Sequence, residues 1–298
     1  MRLLPCTWIP ILSIFLAALS FAQQAPSVQS DPASLARRAV QNEVEASQIG
    51  THYMFRGTRT TPRGSTTKIY VETKEATAGM VVAYNGKALG PEQRRDEEAR
   101  VERFIRDPEE LRKKHRQEQD DAERTMRIVR ALPDAFLFEY AGEEQGSAGV
   151  GKSGAPLVKL SFRPNPNYQP PSRVEQVLAG MQGELLVDPS RNRLARIDGR
   201  LFKDVSFGWG ILGHLDKGGR FLVEQEAVGN GDWEISRMSL EFTGKILIFK
   251  NVSIQSAEVF SGFKRVPADL TFAQAIELLK KQDVNGDENP PASSLAKQ

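Results

Sequence analysis

The residues best suited to chemistry stand at positions 146 to 153, GSAGVGKS. This is the G-x-x-x-x-G-K-S pattern of a phosphate-cradling loop. There the glycines let backbone N–H groups wrap the phosphates and the lysine reaches their oxygens. A helix opening at the Lys-Ser pair aims its positive end at the anion. Gly146, Gly149, Gly151, Lys152 and Ser153 meet the first two needs. The third is not met, because Gly154 and Pro156 follow at once and PLVKLSF then alternates like a strand. ELLVDP, ending in Asp188, mimics a strand with a magnesium-binding aspartate, yet Pro189-Ser190-Arg191-Asn192 after it is a turn sequence. The expectation is a mobile hairpin loop at 146–153 and no nucleotide.

A second glycine string, GWGILG at 208–213, matches G-x-G-x-x-G. HLDKGGRF returns it quickly to strand where a dinucleotide site needs a long helix, so no such site is expected. What the segment offers is apolar: Phe207, Trp209, Ile211, Leu212 and Leu215 on a glycine-rich connection. These five either pack into the core or form a flap over a ligand cavity or a membrane-facing edge, and they are the candidate ligand-binding residues. His52, His115 and His214 are scattered and the one cysteine is Cys6, which gives no zinc spacing and no cysteine nucleophile in the body of the chain. Asp283, Asn285 and Asp287 hint at a calcium loop, but the glycine falls in the wrong place and no glutamate completes the register. No serine sits in a nucleophile elbow. No catalytic residue, metal ligand or cofactor is assigned.

The elements that would position these residues follow from periodicity. Asp31 caps and Pro32 opens a helix with Leu35, Ala39, Val40 and Val44 on one stripe, ended by Gly50. THYMFRGTRT puts Tyr53 and Phe55 on one face of a strand. TKIYVETKEA sets Ile69, Val71 and Thr73 against Lys68, Tyr70, Glu72 and Lys74, and GMVVAYNGK closes at the Asn85-Gly86 turn signal. Residues 91–131 form a charged helical insert with a break at Asp107-Pro108. Its signs are balanced, so a solvated face is expected and no nucleic acid. Strands then resume after Ala131. Val158, Leu160 and Phe162 alternate with polar residues, and so do Ala195, Ile197, Gly199 and Leu201. Asp188-Pro189 and Asn230-Gly231 mark hairpins, and TFAQAIELLKKQ is a terminal helix.

Ten or eleven strands joined by short turns predict an antiparallel meander. The fold class is α+β: a large curved antiparallel sheet, an incomplete barrel, covered by the N-terminal helix and the inserted charged segment. Phe136, Leu137 and Phe138, with Ile246, Leu247, Ile248 and Phe249, are apolar on both faces, so the concave side needs cover by helices or by a ligand.

Residues 1–22 read as a secretory signal, with Arg2, an apolar run through Phe21, and Ser20 and Ala22 at the −3 and −1 positions; a retained anchor is the alternative. The body, 23–282, reads as one domain, and 283–298 as a disordered polar tail. A formal net charge of +2 over 298 residues gives no bulk attraction to nucleic acid or membrane.

Signal, helix and meander, together with the G-x-L-x-V-D strand at Gly183–Asp188 and the basic-alternating strand after it, resemble the outer-membrane lipoprotein-sorting (LolA-like) proteins. The resemblance is specific only around 183–201 and matches no individual ligand contact; the charged insert departs from the simple carrier. It implies an incomplete barrel with helices plugging an apolar cavity for acyl chains. The expected function is an exported, periplasmic binding protein for a lipid or acylated protein, not an enzyme, with peripheral membrane contact. The alternative is a signalling or envelope-assembly module that docks a protein through its charged helices. A hydrolase built on dispersed carboxylates, which leaves little linear trace, is a third reading.

Overall fold

The structure is a computed structural model describing residues 31–207, 213–246 and 250–282. The expected signal, the tail and its Asp283–Asp287 loop lie outside those residues. Helix α1 (Pro32–Ala46) starts as its sequence dictates: the Asp31 carboxylate accepts from Ser34 N–H at 2.9 Å and Pro32 takes the first helical position. It stops four residues before Gly50, where Ser47 turns back and donates its hydroxyl to Val44 C=O.

Strands β1 (His52–Thr61), β2 (Gly64–Val71), β3 (Ala78–Tyr84) and β4 (Lys87–Ala88) form consecutive antiparallel pairs. Asn85 and Gly86, at φ of 49° and 75°, make the two-residue turn before β4. Helices α2 (Pro91–Arg106) and α3 (Pro108–Ala135) meet at Asp107, whose carboxylate caps α3 by accepting from Glu109 and Glu110 N–H. α3 runs four residues past the boundary expected at Ala131. Pro133 forfeits only a hydrogen bond near the helix end, and burial of Leu132 and Ala135 outweighs it.

The remainder comprises β5 (Phe136–Gln145), β6 (Pro156–Pro164), a short α4 (Arg173–Gln176), β7 (Met181–Asp188), β8 (Arg193–Leu201), β9 (Val205–Phe207), β10 (Gly213–Leu215), β11 (Arg220–Gly229), β12 (Asp232–Ile246), β13 (Lys250–Val266) and α5 (Phe272–Lys280). The strand order is β4-β3-β2-β1-β13-β12-β11-β8-β7-β6-β5, with β10 on β12 and β9 on β10. The sheet is open and curved, and the fold is α+β.

One aspect differs from a simple meander. The chain begins in the middle of the sheet, runs out to the β3–β4 edge, and is carried by α2 and α3 to the opposite edge. From β5 it meanders back until β13 pairs with β1. The charged helical segment is thus the crossover between the two edges. At 1.5 Å per residue the 28 residues of α3 span about 42 Å. Leu111 packs against the β2–β3 core at one end of α3, and Ala131, Leu132 and Ala135 join the β5–β8 core at the other.

Those two cores lie on opposite faces of the sheet. Directly paired residues share a face, and alternate residues along a strand share it too. Leu185, Ile197, Val223, Met238, Glu258 and Arg59 stand opposite one another across β7, β8, β11, β12, β13 and β1. Leu185 belongs to the α1 core, so this row marks the α1 face. Two residues on, Phe260, Gly57 and then Phe55 with Tyr70 continue it. Met54, Ile69 and Val71 point the other way, into the core made with α2 and α5. Along β8, Ile197 and Leu201 face α1 as alternation predicts. Ala195 does not, because a register shift between Leu186 and Val187 places it with Leu157, Leu186 and Trp233 in a small third cluster.

The loop at 146–153 is anchored, which corrects the expectation of a mobile turn. Gly151 N–H donates to Gln225 C=O at 2.7 Å, Ala227 N–H donates to Gly151 C=O, and the Ser236 hydroxyl donates to Gly149 C=O at 2.5 Å. After Lys152 and Ser153 the chain makes a turn and enters β6 at Pro156; no helix opens there. Lys152 is exposed.

Candidate functional site

The site is built from strands β1, β2 and β13 on the α1 face. Phe55 stacks on Tyr70 with centroids 5.2 Å apart and on Phe263 at 5.3 Å, and meets Phe260 edge-on at 5.9 Å. Tyr53 meets Phe263 edge-on at 6.1 Å. In a regular strand Phe260 and Phe263, three residues apart, would face opposite ways. Between Met54 and Arg56 the β13 register gains one residue, and Gly262 takes φ of 69° there. That bulge brings both rings against Phe55. Gly57 leaves the room: a Cβ on it would stand 2.8 Å from the Tyr70 ring and 3.0 Å from that of Phe260. Phe55, Tyr70, Phe260 and Phe263 are half-buried and belong to neither main core. Residues 119–125 of α3 are exposed throughout.

The aromatic surface has a charged border. Arg59 pairs with Glu258 at 3.4 Å. Burial, and then the Arg100 charge, push the Lys68 ammonium below its ordinary value. Burial, and then the Glu258 charge, push the Tyr70 phenol up.

At the other end Tyr53 leads into a polar pocket. Its ring touches Phe263, while its hydroxyl donates to Asp232, which also accepts from Arg265. Burial opposes ionisation of Asp232, but Arg265 and Tyr53 hold it below the usual carboxylate range. The pocket, about 330 Å³, lies between the end of α1 and the β7–β8 and β11–β12 turns; Asn42, Arg191, Arg193, Asp232, Trp233 and Glu234 line it. Asn42 fastens α1 to the β7–β8 turn by donating to the C=O groups of Arg191 and Asn192. Arg193 makes a two-pronged pair with Glu43 at 2.8 and 3.0 Å and lies over the Trp233 ring. Burial, then the charges of Glu72 and Asp232, push Glu234 up to about 7. Glu72 is itself raised, by burial and Glu118, against the Tyr53 N–H it accepts from.

Of the five residues predicted at 207–215, Trp209, Ile211 and Leu212 lie outside the described residues. Phe207 and Leu215 sit on β9 and β10, which pair antiparallel, and both pack partly buried against the α1 core. His52 opens β1, His115 lies beside Gln119 on α3, and His214 on β10 is 3.1 Å from Asp216 just after it. Among the described residues no group of three or more His, Cys, Asp or Glu could hold a metal, and no helix is long and apolar enough to cross a membrane. The sequence places Tyr53 with Phe55 on β1 but does not gather Phe260 and Phe263 with them. The signal was FSGF, a glycine between two aromatics, which permits a bulge.

No protein-family model and no curated protein matches the chain. A solved structure from Vibrio parahaemolyticus, provisionally assigned as an outer membrane lipoprotein-sorting protein domain, aligns over 82% of this chain and 99% of its own, with 10% identity and a TM-score of 0.29. A likeness that distant fixes neither ligand nor mechanism. In residues the resemblance stays confined to 183–201, and over the rest of the chain it is one of layout. Gly183 is placed by packing: a Cβ there would stand 1.9 Å from Asp198 C=O.

Proposed function

We propose that this protein is an exported, non-catalytic binding protein whose aromatic face receives the apolar part of a lipid or of an acylated protein. The observation that carries the reading is the position of Phe55, Tyr70, Phe260 and Phe263. Phe55 stacked between Tyr70 and Phe263, with Phe260 edge-on to it, leaves four half-buried rings on the α1 face of an open sheet, outside both main cores. Burying apolar area of this kind is worth about 25 cal/mol per Å², so a half-exposed group of rings is a favourable resting place for an acyl chain. Phe207 and Leu215 would border the guest farther along the same side. Export, and a periplasmic address in a Gram-negative source, rest on the signal-like N-terminus.

The docking alternative is less well supported. Much of the charge on α2 and α3 pairs along its own helix, as in Arg94–Glu98, Lys114–Glu118 and Arg124–Asp121. Such pairs need no partner.

The test is titration of delipidated protein with a dansyl-labelled undecanoic acid, competed by palmitate. Saturable, competable fluorescence is expected, weakened about tenfold or more by Phe55→Asp or Phe263→Asp. Tyr84→Asp, at the exposed end of β3, should leave it unchanged. Absence of binding by the parent protein, or equal binding by all variants with unchanged circular dichroism, rejects the reading.

A further inference from the structure

The pocket beyond Tyr53 has an arrangement of charge that an acyl chain does not use. Its acidic wall holds Asp232 and Glu234, and its basic wall Arg191 and Arg193. Two of these four are already matched: Asp232 by Arg265 and Tyr53, and Arg193 by Glu43. Glu234 and the guanidinium of Arg191 have no hydrogen-bond or ion-pair partner among the described residues. A third group is left over as well. Trp233 is 5% exposed, and its indole N–H is buried without an acceptor. A buried donor left unmade costs about 1–3 kcal/mol, and this one is closed off from the open space of the pocket.

These leftovers specify a ligand of both signs. Glu234 can accept from a cation. Arg191 can donate to an oxyanion, and its planar guanidinium suits phosphate or carboxylate. A simple cation would face Arg191 and Arg193, and a simple anion would face Asp232 and Glu234; each meets an uncompensated like charge. At about 330 Å³ the pocket has room for a small polar group, near the lower limit for ligand sites. It also adjoins the aromatic face through a single residue, since Tyr53 touches Phe263 with its ring and Asp232 with its hydroxyl.

We propose that this pocket binds a zwitterionic phosphoamine group, with the ammonium on Glu234 and the phosphate on Arg191, and that it seats the polar head of the amphiphile whose chains lie on the aromatic face. The second half of the statement rests on the amphiphile reading above; the first does not. Free phosphoethanolamine and a phosphatidylethanolamine head carry the same chemistry, and the experiment separates them.

Delipidated protein is titrated calorimetrically with phosphoethanolamine. Separately it is incubated with vesicles of phosphatidylethanolamine or of phosphatidylglycerol, and the lipid retained is quantified. The expected results are a preference of about tenfold or more for the ethanolamine lipid, and loss of that preference in both Glu234→Gln and Arg191→Ala. Circular dichroism should be unchanged in both variants. Equal retention of the two lipids by the parent protein overturns the head-group inference while leaving the acyl reading intact. If the parent retains neither lipid, the acyl reading fails and calorimetry decides: phosphoethanolamine binding abolished by Glu234→Gln supports the pocket, and no binding overturns it. Arg191 is exposed in a turn, so Arg191→Ala keeps the test valid if Glu234→Gln misfolds.

Discussion

Glu43 on α1 and Arg193 on β8, 150 residues apart in sequence, form a two-pronged ion pair in which each side chain is only 10% exposed. Glu43 also accepts from Leu194 N–H at 3.0 Å and lies near the Gln225 amide. One carboxylate thus binds the first helix to the sheet where the polar pocket begins. Glu43→Ala leaves Arg193 buried without its partner and should cost about 3–5 kcal/mol. Glu43→Met with Arg193→Met should recover much of that loss. Urea denaturation of the three proteins measures it; a single-variant loss under 1 kcal/mol would show that the pair carries little.

Stability should depend on pH through Glu234. Its folded value of about 7 lies above the ordinary 4.5, so the folded chain holds this proton more tightly than the unfolded chain. The unfavourable term is absent below about pH 4.5, grows as pH rises, and is complete above about pH 7. Burial sets it first, then the charges of Glu72 just after β2, Asp232 on β12 and Glu43 on α1, with Arg193 on β8 opposing them. Glu234→Gln should therefore stabilise by about 1–3 kcal/mol near pH 8, discounting for partial exposure, and by nothing near pH 4. Melting curves of parent and variant across that range give the difference; a gain that is constant with pH would refute the assignment.

The string 146–153 should matter for stability through its glycines and not through its lysine. A Cβ on Gly146 would stand 2.2 Å from Lys152 C=O, and Gly151 holds φ of 67° against Leu157 and Ala195. Gly146→Ala and Gly151→Ala should each cost about 1–3 kcal/mol. Lys152→Ala, at an exposed position, should stay within about 0.5 kcal/mol. Thermal melts check this, and a larger loss from Lys152→Ala than from the glycine variants would return attention to the motif.

These cases also show where the sequence could be read. Helix starts at Asp31-Pro32 and Asp107-Pro108 and turns at Asn85-Gly86 and Asn230-Gly231 are decided within four residues, so composition alone exposes them. The α+β class follows from counting such signals. The pairing of β13 with β1, the crossover of α3 and the Glu43–Arg193 pair depend on segments far apart in sequence, and no local pattern records them. The aromatic site lies between. Tyr53 and Phe55 are legible on β1, but Phe260 and Phe263 join them only because Gly262 bulges. The GKS string misleads because loop glycines serve close backbone packing as readily as phosphate.

The last prediction concerns the sheet edge. β4 covers only Ala83 and Tyr84 of β3, which leaves the rest of that edge to α2. Glu97 is 8% exposed and accepts from Val81 N–H at 2.6 Å; Arg100 donates to Gly79 C=O at 3.0 Å and grips Glu97 at 2.7 Å. The Glu97 hydrogen bond, working against burial, raises the Arg100 guanidinium above its ordinary value. The two side chains thus occupy the open N–H and C=O groups that would otherwise pair with a strand of another molecule. Glu97→Ala should cost about 1–3 kcal/mol through the stranded N–H and should also promote self-association. Glu97→Gln, which keeps an acceptor, should lose less stability and keep the oligomeric state of the parent. Sedimentation velocity at several concentrations, beside denaturant melts, separates the two effects. If Glu97→Ala lost stability yet stayed in the same oligomeric state as the parent, the pair would be a helix anchor and not an edge seal.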